Sequence, residues 1–279
     1  MNETIEIGTI NTLQIDRETD PGLFLKASND DDVLLPNQYV TDAMQVGDLL
    51  DVFVYTDSED RIVATTQRPM AMLGEFGFCE VVDTAPFGAF VNWGLPKDLF
   101  VPRTKQKTPF KVGEKRLLHV DLDEQTQRLI GVEKIQNYLG KAPTTLKPND
   151  AVSVLVFAVT PLGYKVIVNH AYEGLIYKNE VFEPIQTGDS KQAYIKQRRS
   201  DGKLDISLQR IGNTSDDDTS TILRLLHEHQ GKMPYNYKSD ANEISQVFHL
   251  SKKRFKRALT TLQDAGTIEI KDTGIYSKE

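Results

Sequence analysis

Pro86-Phe87-Gly88-Ala89-Phe90-Val91-Asn92-Trp93, then Gly94-Leu95-Pro96-Lys97, then Asp98-Leu99-Phe100-Val101-Pro102, reads as a strand returning from a tight turn, a loop, and a second short strand. Gly88 fits a bend where a Cβ would be strained or would block an approaching backbone. Upstream, Phe78-Cys79-Glu80-Val81-Val82-Asp83 begins another strand. Downstream, residues 104–111 form a polar crossover, and Gly113 opens a strand pair, Arg116 to Asp121 and Arg128 to Glu133, joined by a turn at 122–127. Short apolar or alternating runs punctuated by Gly, Pro and Asp argue strands over helices.

The same layout occurs three times. Gly22 and Gly47, Gly88 and Gly113, and Gly163 and Gly188 each lie 25 residues apart, and an apolar run ends 14 residues after the first glycine, at Pro36, Pro102 and Tyr177. Arg61, Arg128 and Lys203 lie at the last turn of each unit. A period of roughly 70 residues is too long for a solenoid and suits tandem small domains. Five short strands without a long helix predict a small closed barrel of the OB type, in which closure removes the exposed edges.

On these residues the unit resembles the S1 domain, an RNA-binding OB module. The resemblance rests on Phe87-Gly88-Ala89-Phe90-Val91, Leu99-Phe100-Val101-Pro102, Val112-Gly113-Glu114 and Arg128-Leu129-Ile130. It rests also on Thr187-Gly188-Asp189 and Ser200-Asp201-Gly202-Lys203-Leu204-Asp205-Ile206-Ser207-Leu208-Gln209. It implies a face of two aromatics around the glycine turn, an aromatic or His closing the third strand, and a basic residue near the last turn. In the second unit these are Phe87, Phe90 and Arg128, with Pro102 departing from the third-strand pattern. The third unit has Leu162 and Lys165 at the aromatic positions but keeps Tyr177, Arg198, Arg199 and Lys203. The first has Phe24 alone, with Pro21 and Pro36. The residues leave two placements open for Phe24, Phe87 and Phe90, on a nucleic-acid face or in a barrel or interface. Trp93 reads as packed.

Beyond residue 211 the period changes. Ile222, Leu223, Leu225 and Leu226 predict a helix ending near Gly231. Ser239-Asp240-Ala241-Asn242-Glu243 predicts a capped start for a second, with Ile244, Val247 and Phe248 inward. Ser251 caps a third, with Phe255, Leu259 and Leu262 as its stripe and Gly266 at its end. Residues 267–270 and 274–276 read as a hairpin. Three helices and a hairpin resemble a winged helix. Its third helix carries Lys252, Lys253, Arg254, Lys256 and Arg257, a cationic face opposite the apolar stripe, suited to phosphate contact without base choice.

The expected fold class is mainly β: three tandem five-stranded OB-fold (S1-like) barrels at 1–70, 71–140 and 145–211, then an α+β winged-helix domain at 219–279. That order resembles the conserved virulence factor B family, and the resemblance implies an RNA-binding regulator of virulence-gene expression.

The net charge of −7 is uneven. Residues 1–71 carry 4 Lys/Arg against 14 Asp/Glu and residues 72–140 carry 9 against 9, while 141–211 and 219–279 each carry 10 against 7. Asp216-Asp217-Asp218 reads as an acidic linker. The acidic excess serves solubility or a partner, and the last two segments permit phosphate contact. Cys79 is the only cysteine, the N-terminus is acidic where a secretion signal starts basic, and no apolar run approaches a membrane span, so the expected location is cytoplasmic. No catalytic, metal or cofactor residues are expected: the five histidines are scattered, and neither a Walker loop nor Gly-x-Gly-x-x-Gly occurs. The expected function is non-catalytic binding of single-stranded RNA by Phe87, Phe90, Arg128, Lys165, Tyr177, Arg198, Arg199, Lys203 and the basic helix. The competing readings are a protein adaptor docking on ribosome or transcription proteins, and duplex-DNA binding by the winged helix.

Overall fold

The computed structural model describes residues 1–181, 183–210 and 214–278. The chain divides into two compact units, Met1–Leu139 and Gly140–Glu279.

The first unit holds two closed barrels. One is formed by β1 (Ile10–Thr19), β2 (Gly22–Lys26), β3 (Asp32–Pro36), β4 (Leu49–Thr56) and β5 (Ile62–Thr65), in the order β1-β2-β3-β5-β4. The other is formed by β6 (Phe76–Ala85), β7 (Gly88–Asn92), β8 (Leu99–Pro102), β9 (Lys115–Leu122) and β10 (Leu129–Val132), with the same connectivity. In the second unit, β11 (Ala151–Val159), β12 (Gly163–Val168), β13 (Tyr172–Tyr177), β14 (Ser190–Arg198) and β15 (Leu204–Ser207) close a third barrel.

The glycine pairs do two different jobs. Gly22, Gly88 and Gly163 face Pro36, Pro102 and Tyr177 across an antiparallel ladder. A Cβ on Gly22 or Gly163 would lie 2.1 Å from the carbonyl oxygen of Leu35 or Ile176, and one on Gly88 would lie 2.6 Å from that of Val101. The strands approach too closely for any side chain. Gly47, Gly113 and Gly188 instead have φ of 100°, 85° and 98°, a conformation that L side chains rarely adopt. Each donates its N–H to a carbonyl on the first strand (Ile15, Val81 and Val156, all 2.8 Å), beside a bulge in that strand. The bulge coils the first strand so that it pairs on both sides and closes the barrel.

Inward residues fill each barrel: Leu13, Ile15, Leu25, Leu35 and Val54 in the first, Val81, Val91, Val101 and Leu118 in the second, and Val154, Val166, Ile176, Ile195 and Ile206 in the third. Phe53 and Tyr55 of β4 point out of the first barrel and join the second barrel's cluster, where Phe53 meets Trp93 edge-on at 5.8 Å. Trp93 is packed (3% exposed), and its Nε1 donates to the Lys97 carbonyl.

The C-terminal part has α1 (Thr214–Glu228), β16 (Lys232–Met233), α2 (Ala241–Phe248), α3 (Lys252–Asp264), β17 (Ile268–Lys271) and β18 (Gly274–Ser277), with sheet order β16-β18-β17. Asp240 and Ser251 are the N-caps of α2 and α3, and Gly266 follows α3 with φ 72°. Residues 211–213, the end of the expected third barrel and the start of the linker after it, lie outside the described residues. Asp216-Asp217-Asp218 corrects an expectation: the triplet lies within α1 rather than in a linker, and Asp218 is buried against Arg254. Strand β16 was not anticipated, since two residues carry no period.

Candidate nucleic-acid interface

The second barrel carries a connected aromatic surface. Phe87 sits at the turn before β7 and is 63% exposed. Phe90 on β7 pairs directly with Phe100 on β8, because the Gly88–Pro102 register places them opposite one another. The three rings lie 5.3 to 6.4 Å apart, centroid to centroid, tilted or edge-to-face. Phe100 was not among the expected residues, although it supplies the third ring that Pro102 lacks. Arg128 stands just before β10, which pairs in parallel with β8 at Ile130 and Phe100. These residues line a cleft of about 610 Å³ whose other wall, with Tyr55, Ser58 and Asp60, comes from the first barrel. Burial pushes the Tyr55 phenol up to about 12, so it stays neutral. Arg128 donates to the Asp60 carboxylate, and Lys97 Nζ donates to the Asp57 carbonyl at 2.6 Å.

The corresponding face of the first barrel is covered. Phe24 is half-buried, with the Arg17 guanidinium 4.2 Å above its ring. Asp16 and Asp32 hold Arg17 there at 2.9 and 2.8 Å. Arg61 pairs with Asp57 and Glu59 of its own turn.

In the third barrel, Lys165 and Lys203 converge on Glu173, at 3.7 and 2.9 Å. Tyr177 is half-buried; its hydroxyl donates to Asp205 and Lys196 Nζ lies 5.4 Å from its ring. Burial, followed by the nearby Asp205 carboxylate, pushes its phenol up. Arg198 Nε donates to the Ala142 carbonyl at 2.6 Å, fixing the segment that enters the barrel, and Arg199 pairs with Asp201. The structure thus brings Lys165, Lys203 and Tyr177 onto one barrel face, while Arg198 is used within the fold.

On α3, Phe255, Ala258, Leu259 and Leu262 are buried, Lys253, Lys256 and Arg257 are exposed, and Lys252 is half-buried. Arg254 departs from the five-cation face. It donates Nε to Asp218 at 3.0 Å and further N–H groups to Asp218 and Gln209, docking α3 on α1. The basic face is therefore four residues. Sequence reading also missed Tyr276 on β18, which has Lys232 Nζ 5.5 Å and Lys271 Nζ 5.0 Å from its ring. A hydrogen bond with Thr273, then the two ammoniums, lower its phenol below the usual value. The β16–β18 register, Lys232 opposite Tyr276, and the β17–β18 hairpin that carries Lys271 bring this group together.

Among the described residues no cluster of His, Cys, Asp or Glu could hold a metal ion. No helix there is long and apolar enough to cross a membrane.

Three barrels of the OB type, the second with aromatics around its glycine turn, followed by a winged helix with a basic third helix, define a multidomain chain of the nucleic-acid-binding type. Residues 7–67 match the S1 domain and residues 220–276 match the CvfB-like winged helix domain; neither is an enzyme family. The S1 match falls on the first barrel, whose face is covered. Over 100% of this chain and 96% of its own length, the Bacillus subtilis protein named uncharacterized protein YitL is 29% identical. Conserved virulence factor B of Staphylococcus epidermidis is 26% identical over 96% of this chain and 93% of its own. A Streptococcus pneumoniae crystal structure described as a multidomain protein with nucleic acid binding domains is 25% identical, covers 98% of both chains, and superposes with a TM-score of 0.41. The chain thus resembles the conserved virulence factor B proteins over nearly its whole length, with an S1 domain match in its first barrel and a CvfB-like winged helix match at its C-terminal end.

Proposed function

We propose that this protein binds single-stranded RNA without catalysis and regulates gene expression after transcription. The observation that carries the reading is the surface formed by exposed Phe87 with half-buried Phe90 and Phe100 beside Arg128, in a cleft of about 610 Å³. A base laid on an exposed ring contributes about 1–3 kcal/mol whatever its sequence. Lys165, Lys203, Lys253, Lys256 and Arg257 supply the complementary chemistry, contact with the phosphate backbone. The regulatory role is what the resemblance to that family implies, and the staphylococcal relative's name adds only that it is a virulence factor. Competition at one salt concentration between a labelled oligouridylate, unlabelled single strands and duplex DNA tests the reading. Single-stranded RNA should displace the label and duplex DNA should do so far less well; the reverse order would transfer the function to the winged helix acting on duplex DNA.

The first barrel supports a second reading for itself alone. Its net charge of −10 and its covered Phe24 suit a basic protein partner, in the ribosome or transcription machinery, better than a nucleic acid. Partner capture that survives nuclease treatment would support it.

A further inference from the structure

Each barrel has one basic residue just before its fifth strand, and each of the three is ion-paired, but not in the same way. Arg61 uses Asp57 and Glu59, from its own turn. Lys203 uses Glu173, from its own barrel. Arg128 uses Asp60, which belongs to the neighbouring barrel. Within its own turn, Asp123 is occupied in accepting from the Thr126 and Gln125 backbone N–H groups and the Thr126 hydroxyl.

The segment that carries Asp60 is built to present it. Asp57 Oδ1 accepts from the backbone N–H of Glu59 and Arg61, and the Asp57 N–H donates to the Arg61 carbonyl, closing the β4–β5 turn. Asp60 sits at its tip with φ 61°. Lys97 of the second barrel holds the base of the turn through the Asp57 carbonyl and stands 3.6 Å from the Asp60 carboxylate. A carboxylate is thereby aimed into the aromatic cleft at the cation placed to meet a phosphate. Both partners remain half-exposed, Arg128 at 51% and Asp60 at 48%, so the pair is readily exchanged for another anion.

We infer that Asp60 is an intramolecular competitor for the phosphate of a bound strand: it occupies Arg128 in the free protein and must be displaced when a nucleotide settles on Phe87, Phe90 and Phe100. The inference rests on the cleft being the single-strand site proposed above. It makes the first barrel a selectivity element of the second barrel's site, holding back lone phosphates that bring no ring to stack.

The test is anisotropy of a labelled oligouridylate of about twelve nucleotides with the full chain, in parent, Asp60→Asn, Arg128→Gln and the double variant. Asp60→Asn should bind about two- to five-fold more tightly, the range for removing an exposed competing ion pair. In the Arg128→Gln background the same change should give no gain. Unchanged or weaker binding by Asp60→Asn overturns the inference, as does an equal gain with and without Arg128, which would reduce Asp60 to bulk charge. Phe87→Ala separates the two levels. If it weakens binding while Asp60→Asn does nothing, only the competitor fails; if it leaves binding unchanged, the site itself fails and the competitor with it.

Discussion

Replacing Phe87 separates recognition from folding better than any other change in the cleft. Its ring is 63% exposed and touches only the edges of the aromatic cluster, 5.8 Å from Phe100 and 6.4 Å from Phe90. Phe87→Ala should therefore cost less than about 1 kcal/mol of stability, the scale of a surface change plus one loose aromatic pair. Loss of a stacked base removes about 1–3 kcal/mol of binding, which is roughly a five- to 150-fold rise in Kd. Phe87→Leu keeps the apolar bulk without the π face and should lose most of the same affinity, whereas Phe87→Tyr should retain it. Phe90→Ala is a poorer probe, because Phe90 lies directly across the ladder from Phe100 and its loss also loosens the sheet. Anisotropy gives the affinities, and a thermal melt of each variant shows that the fold is intact. If Ala and Leu at position 87 bind as the parent does, with an unchanged melt, the ring carries no base.

Charge reversal at Lys253 and Arg257 should weaken binding and flatten the slope of log K against log salt by about 1 for each phosphate no longer neutralised, whereas Phe87→Ala should lower affinity at an unchanged slope; a salt titration reads both. Gly163→Ala should unfold or strongly destabilise the third barrel, since the new methyl would meet the Ile176 carbonyl at 2.1 Å, and the far-ultraviolet circular dichroism melt should show it. The Asp240 carboxylate, held low by the backbone N–H groups of Asn242 and then Glu243, stabilises α2 at pH values above the unfolded carboxylate range. That contribution is lost as pH falls through the depressed folded value, so Asp240→Ala should lower the melting temperature at pH 7 and much less near pH 2. The Tyr276 phenol should titrate by ultraviolet difference below the usual value near 10, and Lys271→Met should raise it.

The barrels were legible because their glycines answer to backbone geometry that no other residue satisfies. Phe100 was equally legible in principle: once Gly88 faces Pro102, antiparallel counting puts Phe90 opposite Phe100. Helical spacing also marks Arg254, one turn before Ala258 and two before Leu262, as lying beside the buried stripe rather than opposite it. Asp60 was not legible. Nothing in the 57–61 turn announces that its tip will reach a neighbouring barrel, because that placement follows from Phe53 and Tyr55 packing against the cluster around Trp93. Tyr276 was hidden for a similar reason, since its lysine neighbours come from a two-residue strand and from the opposite arm of a hairpin.

The three barrels serve as an internal comparison of what the fold requires and what it leaves free. At the first glycine all three units are identical, because a Cβ there meets backbone in each. At the second glycine they are identical again, because each adopts the left-handed conformation, and each is followed by an acid, Asp48, Glu114 or Asp189, whose carboxylate accepts a backbone N–H three residues earlier. On the outer face the same registers hold Phe24, Phe90 and Lys165 at one position and Pro36, Pro102 and Tyr177 at another. Barrels of the same topology form with all of these, so the fold does not dictate them. The differences therefore record what each face does: a covered ring in the first barrel, an open aromatic cluster in the second, and cations around a tyrosine in the third. Restoring an exposed ring to the first barrel tests this directly. Arg17→Ser removes the guanidinium above Phe24, and it should leave the barrel folded while adding a stacking surface where none is open in the parent. A single-strand affinity unchanged by that substitution would mean that an exposed ring on this scaffold does not suffice, and that the neighbouring cation is required with it.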